Sequence, residues 1–298
     1  MKKTAHYHLP GLFEFYELYK IFLPLLKKNR EWFYDWFDIA SIYGAPADCL
    51  WGGGRTSTGD AKVEDVLSLL NEFDISARLT LSNSLLKEKD LTDKKCNNLC
   101  KKFVNNKVKS GVIVHSDLLL DYLKMNYPEL YLVSSTTKVL TNFDDFEKEV
   151  IKPEFSYVVP DFRLNKSFEK LKKLTNLQKD KIEFLCNECC DFACKNRYQC
   201  YQNVSRKNLG EEINDFKCSS SNASGGYKFS LAMKNKAFIG IKDILETYLP
   251  MGFSNFKIEG RGLGSAVVLE FLLYYMTKPE YQLNVREEIY LDSMLDLF

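Results

Sequence analysis

The chain has 298 residues, 41 Lys and Arg against 40 Asp and Glu, and 45% apolar residues. That length suffices for one large domain, and the formal net charge of +1 argues against a protein that grips nucleic acid by bulk electrostatics. The basic start MKKTAHYHLPGLFEFY has no clean apolar run, and the best apolar stretch, residues 266–276, is too short for a bilayer and holds Glu270. The expectation is a cytoplasmic protein without membrane contact. Its nine cysteines are then thiols or metal ligands rather than disulfides.

Residues 12–26 predict a helix with an aromatic face (Phe13, Tyr16, Tyr19, Phe22) and Pro24 late in it. Trp32, Phe33 and Trp36 follow and read as packing. The chain then alternates. Short apolar strands are expected at 38–43, 75–81, 111–115, 130–134, 155–159, 181–185, 237–241 and 253–258. Amphipathic helices are expected at 63–73, 92–104, 118–125, 143–150, 167–177, 242–249 and 265–276. Eight such units at this length point to an α/β fold, a single TIM-like (β/α)8 barrel spanning 1–298, with an N-terminal helix. A doubly wound open sheet is the alternative, weakened by the lack of G-x-G-x-x-G after the first strand. A Cys-rich segment with an Asn-, Ser- and Gly-rich insertion, 186–226, follows the sixth predicted strand.

Barrel chemistry sits at the C-terminal strand ends. The residues expected there include Tyr43, Ser82, Asn83, His115, Ser135, Lys138, Asp161, Arg163, Glu259 and Arg261. The Gly52-Gly53-Gly54-Arg55 loop reads either as an anion cradle or as a flexible turn, since the Lys-Ser/Thr of a P-loop is missing. Ser135, His115 and Asp161 supply the residue types of a hydrolytic triad but no G-x-S-x-G elbow, which disfavours it. His115, alone at its strand end, reads first as a hydrogen-bonded core residue.

Five cysteines, Cys186, Cys189, Cys190, Cys194 and Cys200, crowd one stretch, and Cys218 follows. Thiolates are soft ligands for zinc and iron–sulfur clusters. Cys186-x-x-Cys189 and Cys190-x-x-x-Cys194 have knuckle spacing, with Cys200 and Cys218 available to complete either one. Cys49 has a path to the same rim across the barrel mouth. Cys96 and Cys100, one turn apart on a helix, read as small apolar fillers.

The run AFIGIKDILETYLPMGFSNFKIEGR, 237–261, resembles the closing part of the U32 family, long labelled peptidases or collagenases. Lys257, Ile258, Glu259, Gly260 and Arg261 match its K-I-E-G-R motif residue for residue. The resemblance implies a (β/α)8-like barrel with, in several members, a cysteine-bound 4Fe-4S cluster. It implies oxygen-independent hydroxylation of ubiquinone precursors or RNA bases, or a peptidase. This chain lacks the family's G-A-L-C and S-G-x-C phrasing and has no cysteine in 241–243. The ligand set so implied is Cys49, Cys190, Cys194 and Cys218, with Cys186, Cys189 and Cys200 as substitutes. The expected enzyme is an iron–sulfur one acting on a small aromatic molecule or a nucleobase. Asp161, Lys138, Glu259 and Arg261 would bind substrate or shuttle protons, and Arg55, Arg163 and Arg261 could grip a carboxylate or phosphate. The alternatives are an accessory protein with structural zinc or a cluster that binds a sister U32-like subunit, and a U32-type peptidase. Against the last stands the absence of H-E-x-x-H and of a convincing nucleophile with its base.

Overall fold

The structure is a computed structural model that describes residues 4–54, 59, 61–218 and 227–295, with side chains to 291. The elements run in this order: β1 Ala5–Pro10, α1 Tyr16–Lys28, β2 Phe37–Gly44, α2 Val63–Glu72, β3 Ser76–Leu81, α3 Lys94–Val104, β4 Gly111–Val114, α4 Asp117–Asn126, β5 Tyr131–Ser134, α5 Phe143–Ile151, β6 Phe155–Val158, α6 Phe168–Leu171, α7 Asn176–Lys181, β7 Glu183–Leu185, α8 Arg197–Asn208, α9 Phe229–Ala232, α10 Ile241–Asp243, a π-helical turn Ile244–Tyr248, α11 Leu249–Met251, β8 Asn255–Lys257, α12 Ser265–Met276 and α13 Gln282–Leu295. All strand pairs are parallel, in the order β6-β5-β4-β3-β2-β1-β8-β7. A bridge between Val158 and Ile182 joins the two edges, so the sheet closes into a (β/α)8 barrel.

Local chemistry sets the helix starts. The Asp93 carboxylate accepts the Cys96 N–H at 2.7 Å and opens α3; Ser116 does the same for α4 through the Leu119 N–H. Helix 167–177 was expected as one piece, but Thr175 and Gln178 form a capping box that starts α7, so the segment splits in two. Two packed layers result. The larger lies between barrel and helices and is built on residues such as Leu79, Val112, Phe146, Phe184 and Phe256. The smaller lies among Tyr43, Ile113, Val133, Val159 and Leu185, with Tyr131 and Tyr157 against it.

Eight strands form, but not the expected eight. Residues 5–10 make β1, and residues 237–241 make no strand. The sequence AHYHLP looks like a polar leader. Its alternation nonetheless sends Ala5, Tyr7 and Leu9 to the helix layer, while His8 is fully buried against Ser41 and Asn255. Residues 237–241 cannot enter the sheet because β8 is flanked on both sides, by β1 and by β7. The Ile239 N–H makes a single bond to the Cys186 carbonyl before the chain turns helical. The strand ahead of the cysteines, expected as the sixth, is therefore β7. The helix expected at the N-terminus is the crossover between β1 and β2. Among the described residues no helix is long and apolar enough to cross a membrane.

Candidate active site at the barrel mouth

Single charged residues inside short apolar strands build the barrel floor. Arg78 from β3, Glu183 from β7, Lys257 from β8 and His8 from β1 are all buried. Arg78 Nη1 lies 2.5 Å from Glu183 Oε2, and Lys257 Nζ lies 3.0 Å from Glu183 Oε1. The Arg78 guanidinium also packs on Tyr157 and donates from Nε to the Tyr131 hydroxyl at 2.8 Å. His8 Nε2 is 3.6 Å from the same carboxylate. Burial, seconded by Arg78, lowers the His8 pKa to about 3, so the ring is neutral near pH 7. The charge of Glu183 is opposed by burial, but Arg78, His8 and Lys257 together hold its pKa well below the usual carboxylate range. Burial likewise brings Lys257 down to about 8, against the pull of Glu183.

Above this floor lies a cavity of about 270 Å³. Lys257 Nζ sits at its base, 3.5 Å from the centroid of the Tyr43 ring. Thr80 and Ser82 from the end of β3, Ser135 and Thr137 beyond β5, and Glu259 and Arg261 beyond β8 also line it. Arg261 is anchored, with Nε 2.8 Å from Glu14 Oε1 and Nη2 donating to the Ala45 carbonyl. The triple-glycine loop packs on β3: a Cβ on Gly53 would fall 2.2 Å from the Ser82 carbonyl oxygen. Gly53 serves that close approach. Arg55 lies outside the described residues.

The cysteine segment forms one wall of this mouth. Asn187 bonds both ways to Glu259, donating to its carbonyl and accepting its N–H, which ties the segment to the loop after β8. The Glu259 carboxylate accepts the Cys189 N–H, and the Asn235 amide holds the Cys190 carbonyl. Arg197, at the start of α8, is buried 2.5 Å from Glu188 and 3.6 Å from Asp161. A second cavity of about 740 Å³ opens behind this wall, lined by Cys189, Cys190, Cys194, Cys200 and Cys218 with Phe192 and Tyr227. Cys189 lines both cavities. One sulfur and two carboxylate oxygens, from Cys189, Glu188 and Glu259, also come within 4.8 Å of one another.

The expected site residues divide. Glu259 and Arg261 line the mouth, and Cys190, Cys194 and Cys218 line the second cavity. Cys49 does not line it; its Sγ is buried 3.5 Å from Cys96 Sγ, beneath the Gly52 loop. Cys186 is buried in the core, and burial pushes its thiol pKa up. Lys138 turns outward to Glu149 at 2.5 Å and Asp117 at 3.7 Å. Asp161 is buried between Arg163 and Arg197 and does not line the mouth. His115 bonds Thr137 Oγ1, whose hydroxyl in turn donates to Ser135, while Asp161 faces the arginines, so no triad assembles. The floor of Arg78, Glu183 and His8 was not anticipated. Its signal is the lone charge within S-A-R-L-T-L and within I-E-F-L, where a buried parallel strand would otherwise be apolar throughout.

No protein-family model and no curated protein sequence matches the chain. Among solved structures, the chain is similar to the U32 peptidase Mk0906, at 12% identity and a TM-score of 0.50, over 87% of this chain and 94% of that one. The fold is thus that of a U32 peptidase structure over nearly the whole barrel, in agreement with the resemblance carried by the K-I-E-G-R loop.

Proposed function

We propose that the protein is a U32-like barrel enzyme. In this reading Cys190, Cys194, Cys200 and Cys218 hold a 4Fe-4S cluster, and the adjoining mouth binds the molecule to be modified, a small aromatic compound or a nucleobase. The observation that carries this is that five thiols line one cavity and one of them, Cys189, also lines the mouth. In support of such a group, the four proposed ligands are partly or fully exposed rather than sealed in the core. Cys200 replaces Cys49, which packs against Cys96.

Bound there, a cluster would supply one-electron redox or Lewis-acid chemistry beside the mouth. The chain's own residues do the rest. Asn187 and Asn235 fix the backbone of the cysteine wall through Glu259 and Cys190. Ile113, Val159 and Leu185 give the mouth an apolar side that seats a ring and excludes water. Lys257 holds a proton near neutral pH at the base. Against a peptidase reading, no nucleophile with a base and an orienting acid comes together among the described residues.

Anaerobic purification tests the proposal. A brown protein with broad absorbance near ~400 nm and about four irons and four sulfides per chain is expected. A colourless anaerobic preparation with stoichiometric zinc would sink it and favour a structural metal in a binding protein.

A further inference from the structure

The floor of the mouth carries an imbalance of charge. Arg78 and Lys257 are two cations on one buried carboxylate, Glu183, and His8 is neutral. Each Glu183 oxygen already has its partner. One positive charge is therefore left over at the base of the cavity, in surroundings of low dielectric. Thr80 Oγ1 and Ser82 Oγ are buried, line the same cavity and have no hydrogen-bond partner among the described residues. Buried hydroxyls without partners are costly and rare away from a ligand site. On the neighbouring strands, Ile113, the register partner of Thr80, and Leu185, the register partner of Lys257, together with Val159, offer only hydrocarbon.

We infer that the mouth takes a small-molecule carboxylate with an apolar body, its oxygens received by Lys257, Thr80 and Ser82 and its body by Ile113, Val159 and Leu185. This rests on the mouth being the substrate cavity, and it narrows the substrate to one that carries an acid group. A monoanion matches the single surplus charge. A dianion would exceed it. Arg261 adds little pull, since Glu14 already neutralises it.

The test uses benzoate as probe and benzyl alcohol as its uncharged counterpart, titrated calorimetrically into the full chain in chloride-free buffer. Benzoate should bind one to one, and benzyl alcohol roughly tenfold more weakly or worse, as expected for loss of a charge-assisted contact. The Thr80→Val/Ser82→Ala double variant keeps the volume of the site and should bind benzoate roughly tenfold more weakly. Lys257→Met leaves Arg78 and Glu183 as a balanced pair, so it should fold and lose the preference for the anion. Equal affinity for benzoate and benzyl alcohol, phosphate binding as tightly as benzoate, no benzoate binding, or unchanged benzoate binding in both variants would overturn the inference. Cys190→Ala separates the two readings, because it should lose iron and still bind benzoate. Iron without benzoate binding defeats this inference alone, and benzoate binding without iron in the parent defeats the cluster alone.

Discussion

The floor of the barrel and its cysteine wall lie side by side and are built in opposite ways. The floor comes from four strands whose backbones are fixed by parallel pairing, so the sheet itself sets where His8, Arg78, Glu183 and Lys257 meet. The wall is a segment without regular structure between β7 and α8, held by a few polar contacts: Asn187 to Glu259, Asn235 to Cys190 and Arg197 to Glu188. Preorganised charge belongs to the first region. In the proposed reading a metal would complete the second, since binding energy at such a site is also ordering energy.

The sharpest way to break the comparison is to unbalance the floor. Glu183→Gln leaves Arg78 and Lys257 buried without their counter-ion and should cost about 3–5 kcal/mol, read from denaturant midpoints. A loss under about 1 kcal/mol would mean that the floor relaxes as freely as a surface pair. The wall should respond differently. Arg197→Gln removes the cation between Glu188 and Asp161, so metal content should fall and proteolysis within 186–196 should rise, while the far-UV signal of the barrel stays. Cooperative unfolding of the whole chain by this variant would show that wall and floor are one unit.

Acid acts on the floor through its histidine. Unfolded histidine takes up its proton near pH 6.5, whereas His8 in the fold waits until about 3, so the unfolded state binds more protons between those values and stability falls as pH drops through them. His115, lowered to about 4 chiefly by burial, adds to the same slope. Glu183, with its pKa depressed in the fold, adds a further loss only as pH falls below the ordinary carboxylate range. Each histidine contributes at most about 1.4 kcal/mol per pH unit, and His8→Gln should roughly halve the slope between pH 6 and 5. An unchanged slope would mean that His8 is charged in the fold. The smallest effect lies outside both regions: Asp93→Ala removes the cap on α3 and should cost about 1 kcal/mol without altering metal or ligand binding.

The sequence disclosed more of the wall than of the floor. Crowded cysteines and the K-I-E-G-R loop are local signals; the loop lines the mouth, and the cysteines line the cavity behind it, with Cys189 on both. Alternating strands and helices disclosed the barrel, although His6 and His8 hid β1 behind a polar appearance and the apolar run 237–241 imitated a strand. Arg78 and Glu183 are more than a hundred residues apart in sequence, so only closure of the barrel brings them together. The surroundings of Cys49 were hidden for a similar reason. Its loop lies at the right end of β2, but the thiol turns down against Cys96 and Cys100 rather than across the mouth. Lys138 and Asp161 sit at strand ends as expected, yet their neighbours Glu149 and Arg197 draw them away from the cavity.

The choice of ligands is the point on which the functional reading turns, and metal content in paired variants tests it directly. Cys49→Ala and Cys194→Ala would be purified anaerobically side by side and assayed for iron and acid-labile sulfide. Cys49→Ala is expected to keep the metal of the parent protein and Cys194→Ala to lose it. Loss of metal in Cys49→Ala together with full metal in Cys194→Ala would contradict the placement of the cluster in the cysteine-lined cavity.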